Sequence, residues 1–151
     1  MKRILLVIPS STYRTHDFMV AAQKIGVELI VAADHRQAMA ALVPDTTLAL
    51  NFRKPETLAE GIKQFVARRG FEHPAFDAIV GVDDTSAYVA ALLAQILHLP
   101  HNPVEAVRSA RNKYQMRQKI AAAGLNYPFF RFSRRRKIPR ESPNKSIFPV
   151  C

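Results

Sequence analysis

The sequence contains one cysteine, Cys151, and no long hydrophobic run. A single thiol cannot form an intramolecular disulfide, so we expect a protein of a reducing compartment that is stabilised by its core. Apolar residues make up 48% of the 151 residues, which is sufficient for one domain with an appendage. The apolar segment 4–8 ends at Pro9, too early for a secretory signal or a membrane span. These absences favour a cytoplasmic protein with no membrane partner.

The signature motifs of several enzyme classes are also absent. The turn after the first apolar segment reads PSSTYR, whereas a dinucleotide-binding fold carries GxGxxG there so that the backbone can approach a pyrophosphate. This difference argues against a nicotinamide or flavin dehydrogenase. There is no GxxxxGK followed by Ser or Thr, which excludes a P-loop. There is also no HExxH, paired CxxC or GxSxG, the signatures of common metal and hydrolase sites.

The net charge of +10 is concentrated at one end of the chain. Residues 131–151 hold seven Arg or Lys and one Glu, and the preceding 130 residues contribute a charge of only +4. We interpret residues 133–151 as a solvated tail, with a nucleic-acid-binding arm as the alternative. Because the body of the chain is only mildly basic, we do not expect a specific nucleic-acid partner.

Apolar segments alternate with amphipathic ones through the first hundred residues. The apolar segments predict buried strands at 4–8, 27–33, 48–52 and 78–82. The segments between and after them predict helices at 15–26, 34–42, 55–69, 86–97, 103–109 and 112–124. The alternation predicts an open, mainly parallel, Rossmann-like α/β sheet with helices on both faces.

An open parallel sheet binds ligands beyond the carboxyl ends of its strands. In this chain those ends are the segments 9–12, 34–35, 51–54 and 82–85. We therefore name Ser10, Ser11, Asp83 and Asp84 as candidate ligand contacts. For the two aspartates the alternative is structural, with Asp84 as the cap of the following helix and Asp83 stabilising the helix dipole.

The predicted helix 86–97 is apolar almost all round, which is typical of a helix that is buried on more than one side. It would pack beneath another domain or form the interface of a homodimer. The loop after it contains His101, which we expect to bond to nearby backbone.

The predicted helix after Asn112 carries two cations on the side that is expected to pack inward. Helical spacing places Lys113 and Arg117 on the same broad face as Met116 and Ile120. The cations would then either snorkel or pair with a carboxylate such as Asp83, or they would line a cleft for an anion such as phosphate. Spacing alone leaves both interpretations open.

A family resemblance covers about fifty residues of this region. The segment reads GVDDTSAYVAALLAQILHLPHNPVEAVRSARNKYQMRQKIAAAGLNYP. It resembles the part of ATP-grasp enzymes that joins the N-terminal preATP-grasp domain to the ATP-binding domain. The resemblance implies a carboxylate–amine or carboxylate–ammonia ligase, similar to the carbamoyl-phosphate synthase large chain, L-amino-acid ligases or phosphoribosylglycinamide synthetase. Such ligases use ATP and Mg²⁺ to form an acyl phosphate, which an amine then attacks.

The same resemblance implies site residues and partners. Lys113 and Arg117 match residues that contact the ATP phosphates in members of the superfamily, while Asn112 stands where Asp is frequent. It implies a nucleotide and small carboxylate and amine substrates as partners of the full-length enzymes. It assigns no catalytic residue and no metal ligand to this chain.

The resemblance stops at Phe132. A glycine-rich loop over the phosphates and the Glu and Asn ligands of Mg²⁺ should follow, but the sequence continues as SRRRKIPRESPNKSIFPVC. We therefore divide the chain into a preATP-grasp domain (1–102), a helical linker with the start of the ATP-grasp region (103–132), and a tail that is disordered or frameshifted (133–151). We expect a truncated ligase that is inactive alone and binds neither ATP nor Mg²⁺ tightly. The alternative is a free-standing α/β module that binds or dimerises without catalysis.

Overall fold

The computed structural model of the protein describes residues 1–9, 15–35 and 46–128. Within these ranges, four strands form one parallel sheet: β1 (Arg3–Ile8), β2 (Glu28–Ala33), β3 (Thr47–Ala49) and β4 (Ala78–Gly81). The same ranges contain five α-helices: α1 (Thr15–Ile25), α2 (Leu58–Arg69), α3 (Asp84–Ile96), α4 (Val104–Ala110) and α5 (Lys113–Ala122). The predicted α/β class and the parallel sheet are confirmed. The predicted tail lies outside the described residues.

The strand order is β3-β2-β1-β4, and each neighbouring pair is parallel. At the centre, Leu5 of β1 is in register with Ile30 of β2 on one side and Ile79 of β4 on the other. The chain therefore builds outward from β1 in one direction, through β2 and β3, and then crosses to the opposite side to add β4. This reversal is the topological switch point, where open α/β sheets bind ligands.

Helices cover both faces of the sheet, as predicted. On one face, Leu5 and Val7 of β1 share a buried core with α2 and α3. On the other face, Leu6 and Ile8 pack with Phe18 of α1. Because both sides of β1 are buried, the strand contains a continuous run of apolar residues rather than an alternating pattern.

Several strands and helices begin or end at residues other than the predicted ones. Strand β3 is shorter than predicted, although Leu50 still donates its N–H to the carbonyl of Ala33 at 2.8 Å beyond its end. The predicted helix 55–69 starts as a 3-10 turn at Pro55–Thr57 before α2 begins. A proline fits this first turn because its missing N–H would have no helical partner there. Of the predicted helix 34–42, residues 36–42 lie outside the described residues.

The apolar helix α3 is buried mainly by its own domain. Val89 and Leu93 are fully buried, and Leu92 and Ile96 pack partly buried against the same core. The neighbours of α3 are β1, β4, α2 and α4. Its apolar composition therefore does not require the second domain or second copy that we considered from the sequence. No helix within the described residues has the length and apolarity needed to cross a membrane.

Candidate functional site

A cavity of about 950 Å³ opens at the carboxyl ends of the strands. The four strand-end segments that we identified from the sequence all contribute to its wall. The polar lining residues are Asp34, His35, Asn51, Arg53, Asp83, Thr85, Tyr88 and Arg111. The topology of the sheet thus brings charged side chains from distant parts of the sequence into one depression.

Of the four candidate ligand contacts, one is placed in this wall. Asp83 lines the cavity, whereas Asp84 does not belong to the lining. Ser10 and Ser11 lie outside the described residues, although Pro9 before them is part of the wall. A ligand role for these four residues stays a prediction.

Asp83 caps α3, and this corrects the assignment of the cap to Asp84. One oxygen of the Asp83 carboxylate, Oδ1, accepts hydrogen bonds from Ser86 N at 2.7 Å and from Ser86 Oγ at 2.8 Å. In return, the Ser86 hydroxyl oxygen accepts from the N–H of Asp83 at 2.9 Å and from that of Val82 at 2.8 Å. This reciprocal capping box fixes the turn from β4 into α3. The residue in extended conformation before the first helical residue is Asp83, so its side chain rather than that of Asp84 reaches the free N–H groups.

Gly81, the last residue of β4, permits the close contact between this strand and α3. A Cβ atom at this position would lie 2.5 Å from Cα of Ala87 and 2.5 Å from the carbonyl carbon of Ser86. Both neighbours are backbone atoms and cannot move aside as a flexible side chain could. The missing side chain therefore allows the first turn of α3 to approach the sheet beside the cavity.

Arg53 is presented to the cavity by a tight turn after β3. The side-chain oxygen of Asn51 accepts the N–H of Arg53 at 3.0 Å, and the Asn51 carbonyl accepts the N–H of Lys54 at 3.0 Å. Phe52, between them, is buried in the core and anchors the turn. The turn thus exposes its cation on the ligand side while its aromatic residue holds it to the domain.

Arg111 reaches the cavity from the turn between α4 and α5, and reasoning from the sequence did not identify it. Its Nη2 donates to Oγ1 of Thr85 at 3.3 Å, and its guanidinium carbon lies 5.3 Å from the centre of the Tyr88 ring. The only sequence signal is its position just before Asn112, the N-cap of α5, whose side chain accepts from Tyr114 N and Gln115 N. That signal locates a turn but does not show which surface an arginine in the turn will contact.

The two predicted phosphate-binding cations lie outside this wall. Lys113 is exposed at the start of α5, and Arg117 is half-buried one turn later. The predicted inward face of α5 holds its half-buried residues, Met116, Arg117, Ile120 and Ala121, but Lys113, at the N-terminal end of this face, is exposed. The considered pairing of Lys113 with Asp83 is not formed either, within the described residues. Their proposed contact with phosphate stays a prediction.

Two further expectations concern histidine and metal ligands. The ring Nδ1 of His101 lies 2.9 Å from the carbonyl oxygen of Leu99, which is the backbone contact that we expected for this loop residue. Within the described ranges, no cluster of three or more His, Cys, Asp or Glu side chains could hold a metal ion.

Comparison with known families identifies the domain that forms this cavity. Residues 19–101 match the ATP-grasp N-terminal domain. This segment is more than half of the chain and includes the cavity residues from Asp34 to Tyr88. The chain belongs to the ATP-grasp N-terminal domain family. Arg111 and the helix α5 follow the matched segment of this ATP-grasp N-terminal domain.

Solved structures support the same fold. The L-amino acid ligase from Bacillus licheniformis superposes with a TM-score of 0.68 and 18% sequence identity, over 85% of this chain and 32% of the ligase. The phosphoribosylglycinamide synthetase from Anaerococcus prevotii gives a TM-score of 0.54 and 16% identity, over 83% of this chain and 30% of the synthetase. No curated protein matches the sequence. This ATP-grasp N-terminal domain chain thus spans about a third of the length of either structural relative.

Proposed function

We propose that this chain is the N-terminal part of an ATP-dependent ligase that joins a carboxylate to an amine through an acyl phosphate. The observation that carries the proposal is the family membership of the segment that forms the cavity at the sheet edge. The likeness of the fold to an L-amino acid ligase and to a phosphoribosylglycinamide synthetase is consistent with it. In this proposal the cavity holds part of a small-molecule substrate, because the lining is polar and lies at the topological switch point.

Lys113 and Arg117 are the proposed contacts for the phosphates of ATP. Lys113 is exposed and forms no ion pair within the described residues, so its ammonium can approach a phosphate without breaking an ion pair to any of these residues. Arg117 follows one helical turn later on the same side of α5. Two cations at this spacing match a polyphosphate, in which several oxygens share the negative charge.

The 151-residue chain by itself is proposed not to transfer phosphate. Phosphoryl transfer depends on positioning and on metal ions that neutralise developing charge. The sequence contains no glycine-rich loop that could cover phosphates, and the described residues offer no metal-ligand cluster. Two cations on α5 cannot replace these parts. We assign no step of the reaction to residues of this chain.

An activity assay tests this part of the proposal. The purified chain is incubated with Mg²⁺-ATP and a mixture of amino acids, and the release of ADP and phosphate is followed, with the L-amino acid ligase from Bacillus licheniformis as positive control. We expect no release above background from this chain. ATP-dependent ligation by the chain alone would contradict the proposal.

The DNA downstream of the coding sequence tests the ligase assignment. We expect one of its reading frames to encode an ATP-grasp glycine-rich loop and the Glu and Asn ligands of Mg²⁺. Their absence from all frames would contradict the assignment to a ligase and favour a free-standing binding module.

A nucleotide titration tests the two cations. We expect millimolar Mg²⁺-ATP to shift the amide resonances of α5 in the ¹⁵N-labelled chain, and Lys113→Ala to weaken this response. Lys119→Ala is the matched control, because Lys119 is an exposed lysine on the same helix that lies outside the proposed contact. An equal loss in both variants would show that the response reflects the general charge of α5, and the role of Lys113 would be rejected.

A further inference from the structure

Helix α5 has few attachments to the rest of the described domain. None of its residues is buried, although one face of the helix is half-buried. Its main neighbour among the helices and strands is α4, whose one buried residue, Ser109, bonds to the Glu105 carbonyl of its own helix. Segments that bury little surface are the parts of a fold that move at the lowest cost in free energy. The orientation of α5 therefore depends on few contacts within the described part of the chain.

A groove of about 450 Å³ lies between α4 and α5. Its lining comes from these two helices and is polar apart from one alanine: Glu105, Arg108, Ser109, Gln115, Gln118, Lys119 and Ala122. The polar side chains of α4 bond within their own helix, since Arg108 pairs with Glu105 at 2.7 Å. Among the described residues, no hydrogen bond or ion pair joins the groove-lining side chains of α4 to those of α5. The groove thus offers little resistance to a change in the angle between the two helices.

The junction between α4 and α5 consists of Arg111 and Asn112, which have different roles. The side-chain oxygen of Asn112 accepts hydrogen bonds from two N–H groups in the first turn of α5, at 3.1 and 3.2 Å. This cap keeps the first turn formed, so α5 can move as one body. Arg111 instead contacts α3, where its Nη2 donates to Oγ1 of Thr85 and its guanidinium lies over the Tyr88 ring. Arg111 therefore joins the junction to a helix that is anchored in the core.

We propose that α5 turns as one body about this junction and that Arg111 is the positioning residue that holds it in the orientation that the structure shows. Both contacts of Arg111 can open reversibly. The hydrogen bond is long, at 3.3 Å, and ends on a neutral hydroxyl, and a cation–π contact of an exposed arginine is weak. Hinges are typically a few residues at the ends of helices or strands that absorb the change in backbone angles, as Arg111 and Asn112 do between α4 and α5.

The consequence for phosphate binding rests on the ligase function proposed above, whereas the motion itself does not. Lys113 directly follows the junction, and Arg117 lies one helical turn later, so a rotation of α5 moves both cations relative to the sheet. While Arg111 contacts α3, the two cations keep one arrangement, which reduces the freedom that they lose when they bind phosphates. Arg111 thus acts through α5 and does not itself contact the phosphates.

The test compares the distances of α5 and of α4 from the body of the domain in the 151-residue chain. The native thiol is removed by Cys151→Ser, and nitroxide labels on introduced cysteines are measured by double electron–electron resonance. The exposed position Lys63→Cys on the core-anchored helix α2 is paired with Gln118→Cys on α5 or with Ala106→Cys on α4. We expect Arg111→Gln to broaden the distance distribution to α5 at least about twofold and to leave that to α4 unchanged. An unchanged distribution to α5 would overturn the proposal.

Three further variants distinguish the loss of this contact from general damage. Thr85→Val removes the hydrogen-bond acceptor and Tyr88→Leu removes the ring, so each should broaden the distribution to α5 less than Arg111→Gln does. Arg108→Gln is the matched control, because this arginine pairs within α4 and should change neither distribution. Equal broadening in the control, or broadening to α4 as well as α5 in Arg111→Gln, would reject the junction as the hinge. If Arg111→Gln does not fold, Thr85→Val and Tyr88→Leu provide the same test.

The result is separable from the nucleotide titration of the ligase proposal. Broadening in Arg111→Gln without any response of α5 to Mg²⁺-ATP would support the hinge and reject its role in phosphate binding. An unchanged distribution, together with a nucleotide response that is weakened in Lys113→Ala, would reject the hinge and leave the phosphate contact standing.

Discussion

The guanidinium of Arg111 lies over the ring of Tyr88, 5.3 Å from the ring centre, and so connects two parts of the domain. Arg111 belongs to the turn between α4 and α5, whereas Tyr88 belongs to the second turn of α3. Helix α5 begins at Lys113, two residues after Arg111, so the contact joins the start of α5 to α3 beside the cavity. An arginine of the cavity wall thus lies directly before the helix that carries the proposed phosphate contacts.

We expect a measurable interaction energy between these two residues. A double-mutant cycle with Arg111→Gln and Tyr88→Leu should give a coupling of about 0.5–1 kcal/mol in the free energy of unfolding, as for other solvent-accessible cation–π pairs. Urea denaturation of the wild type, the two single variants and the double variant measures it. The control cycle pairs Tyr88→Leu with Arg108→Gln, whose side chain is bound to Glu105, and should show no coupling. Strict additivity in the Arg111 cycle would mean that the stacking does not stabilise the domain.

The capping box predicts different roles for two adjacent aspartates. We expect Asp83→Ala to lower the free energy of unfolding by about 1–2 kcal/mol, because it removes the acceptor of Ser86 N. Asp84→Ala should lower it by less than about 1 kcal/mol, since Asp84 is exposed and contributes only through its charge in the first turn. Chemical denaturation at low ionic strength compares the two variants, with Asp83→Asn as the variant that keeps the cap. A larger loss in Asp84→Ala would restore the assignment made from the sequence.

Asp83 and Asp84 show which features of the site the sequence could predict and which it could not. The run Gly81-Val82-Asp83-Asp84-Thr85 marks a strand that turns into a helix, because it combines an apolar end with cap-forming residues. The pattern does not specify which aspartate is the last residue in extended conformation, and a shift by one residue exchanges cap and dipole roles. The backbone angles φ −147° and ψ 178° at Asp83 decide the question.

Arg111 and Lys113 show a second limit of prediction from the sequence. Helical periodicity correctly predicted α5 and its cap at Asn112, because these depend on local chemistry. Periodicity also predicted an inward face for α5, and the half-buried residues of this helix, Met116, Arg117, Ile120 and Ala121, all lie on that face. Periodicity did not predict how deeply the face is covered: no residue of α5 is buried, and Lys113 is exposed. The alternating apolar segments predicted the sheet well because four strands bury each other, and no such constraint applies to the end of a helical linker.

The buried hydroxyl group of Ser86 predicts that removing its oxygen atom lowers the stability of the domain. Ser86 is fully buried, and its Oγ accepts from the N–H groups of Val82 and Asp83. We expect Ser86→Ala to lower the free energy of unfolding by about 1–3 kcal/mol, because backbone donors would remain buried without an acceptor. Ser109→Ala is the control: Ser109 is also buried, but its hydroxyl only donates to the Glu105 carbonyl of its own helix. Urea denaturation should show the greater loss for Ser86→Ala, and equal losses would mean that the capping network adds nothing beyond burial.

The close contact at Gly81 predicts that Gly81→Ala destabilises the domain more than Gly70→Ala does. In Gly81→Ala the new Cβ would meet backbone atoms of Ser86 and Ala87 at 2.5 Å, so either β4 or the first turn of α3 must move. Overpacking that requires a backbone shift costs about 1–3 kcal/mol or more, and it would also displace the capping box beside the cavity.

Gly70→Ala is the matched control, since Gly70 has a left-handed φ of 62° but no atom within 4 Å of the point that a Cβ would occupy. That variant carries only the backbone strain of about 1–2 kcal/mol. Thermal and urea unfolding should therefore rank Gly81→Ala below Gly70→Ala, and the amide shifts of Asp83 and Thr85 should change only in Gly81→Ala. Unchanged shifts in that variant would show that the strand and the helix can separate without disturbing the cavity wall.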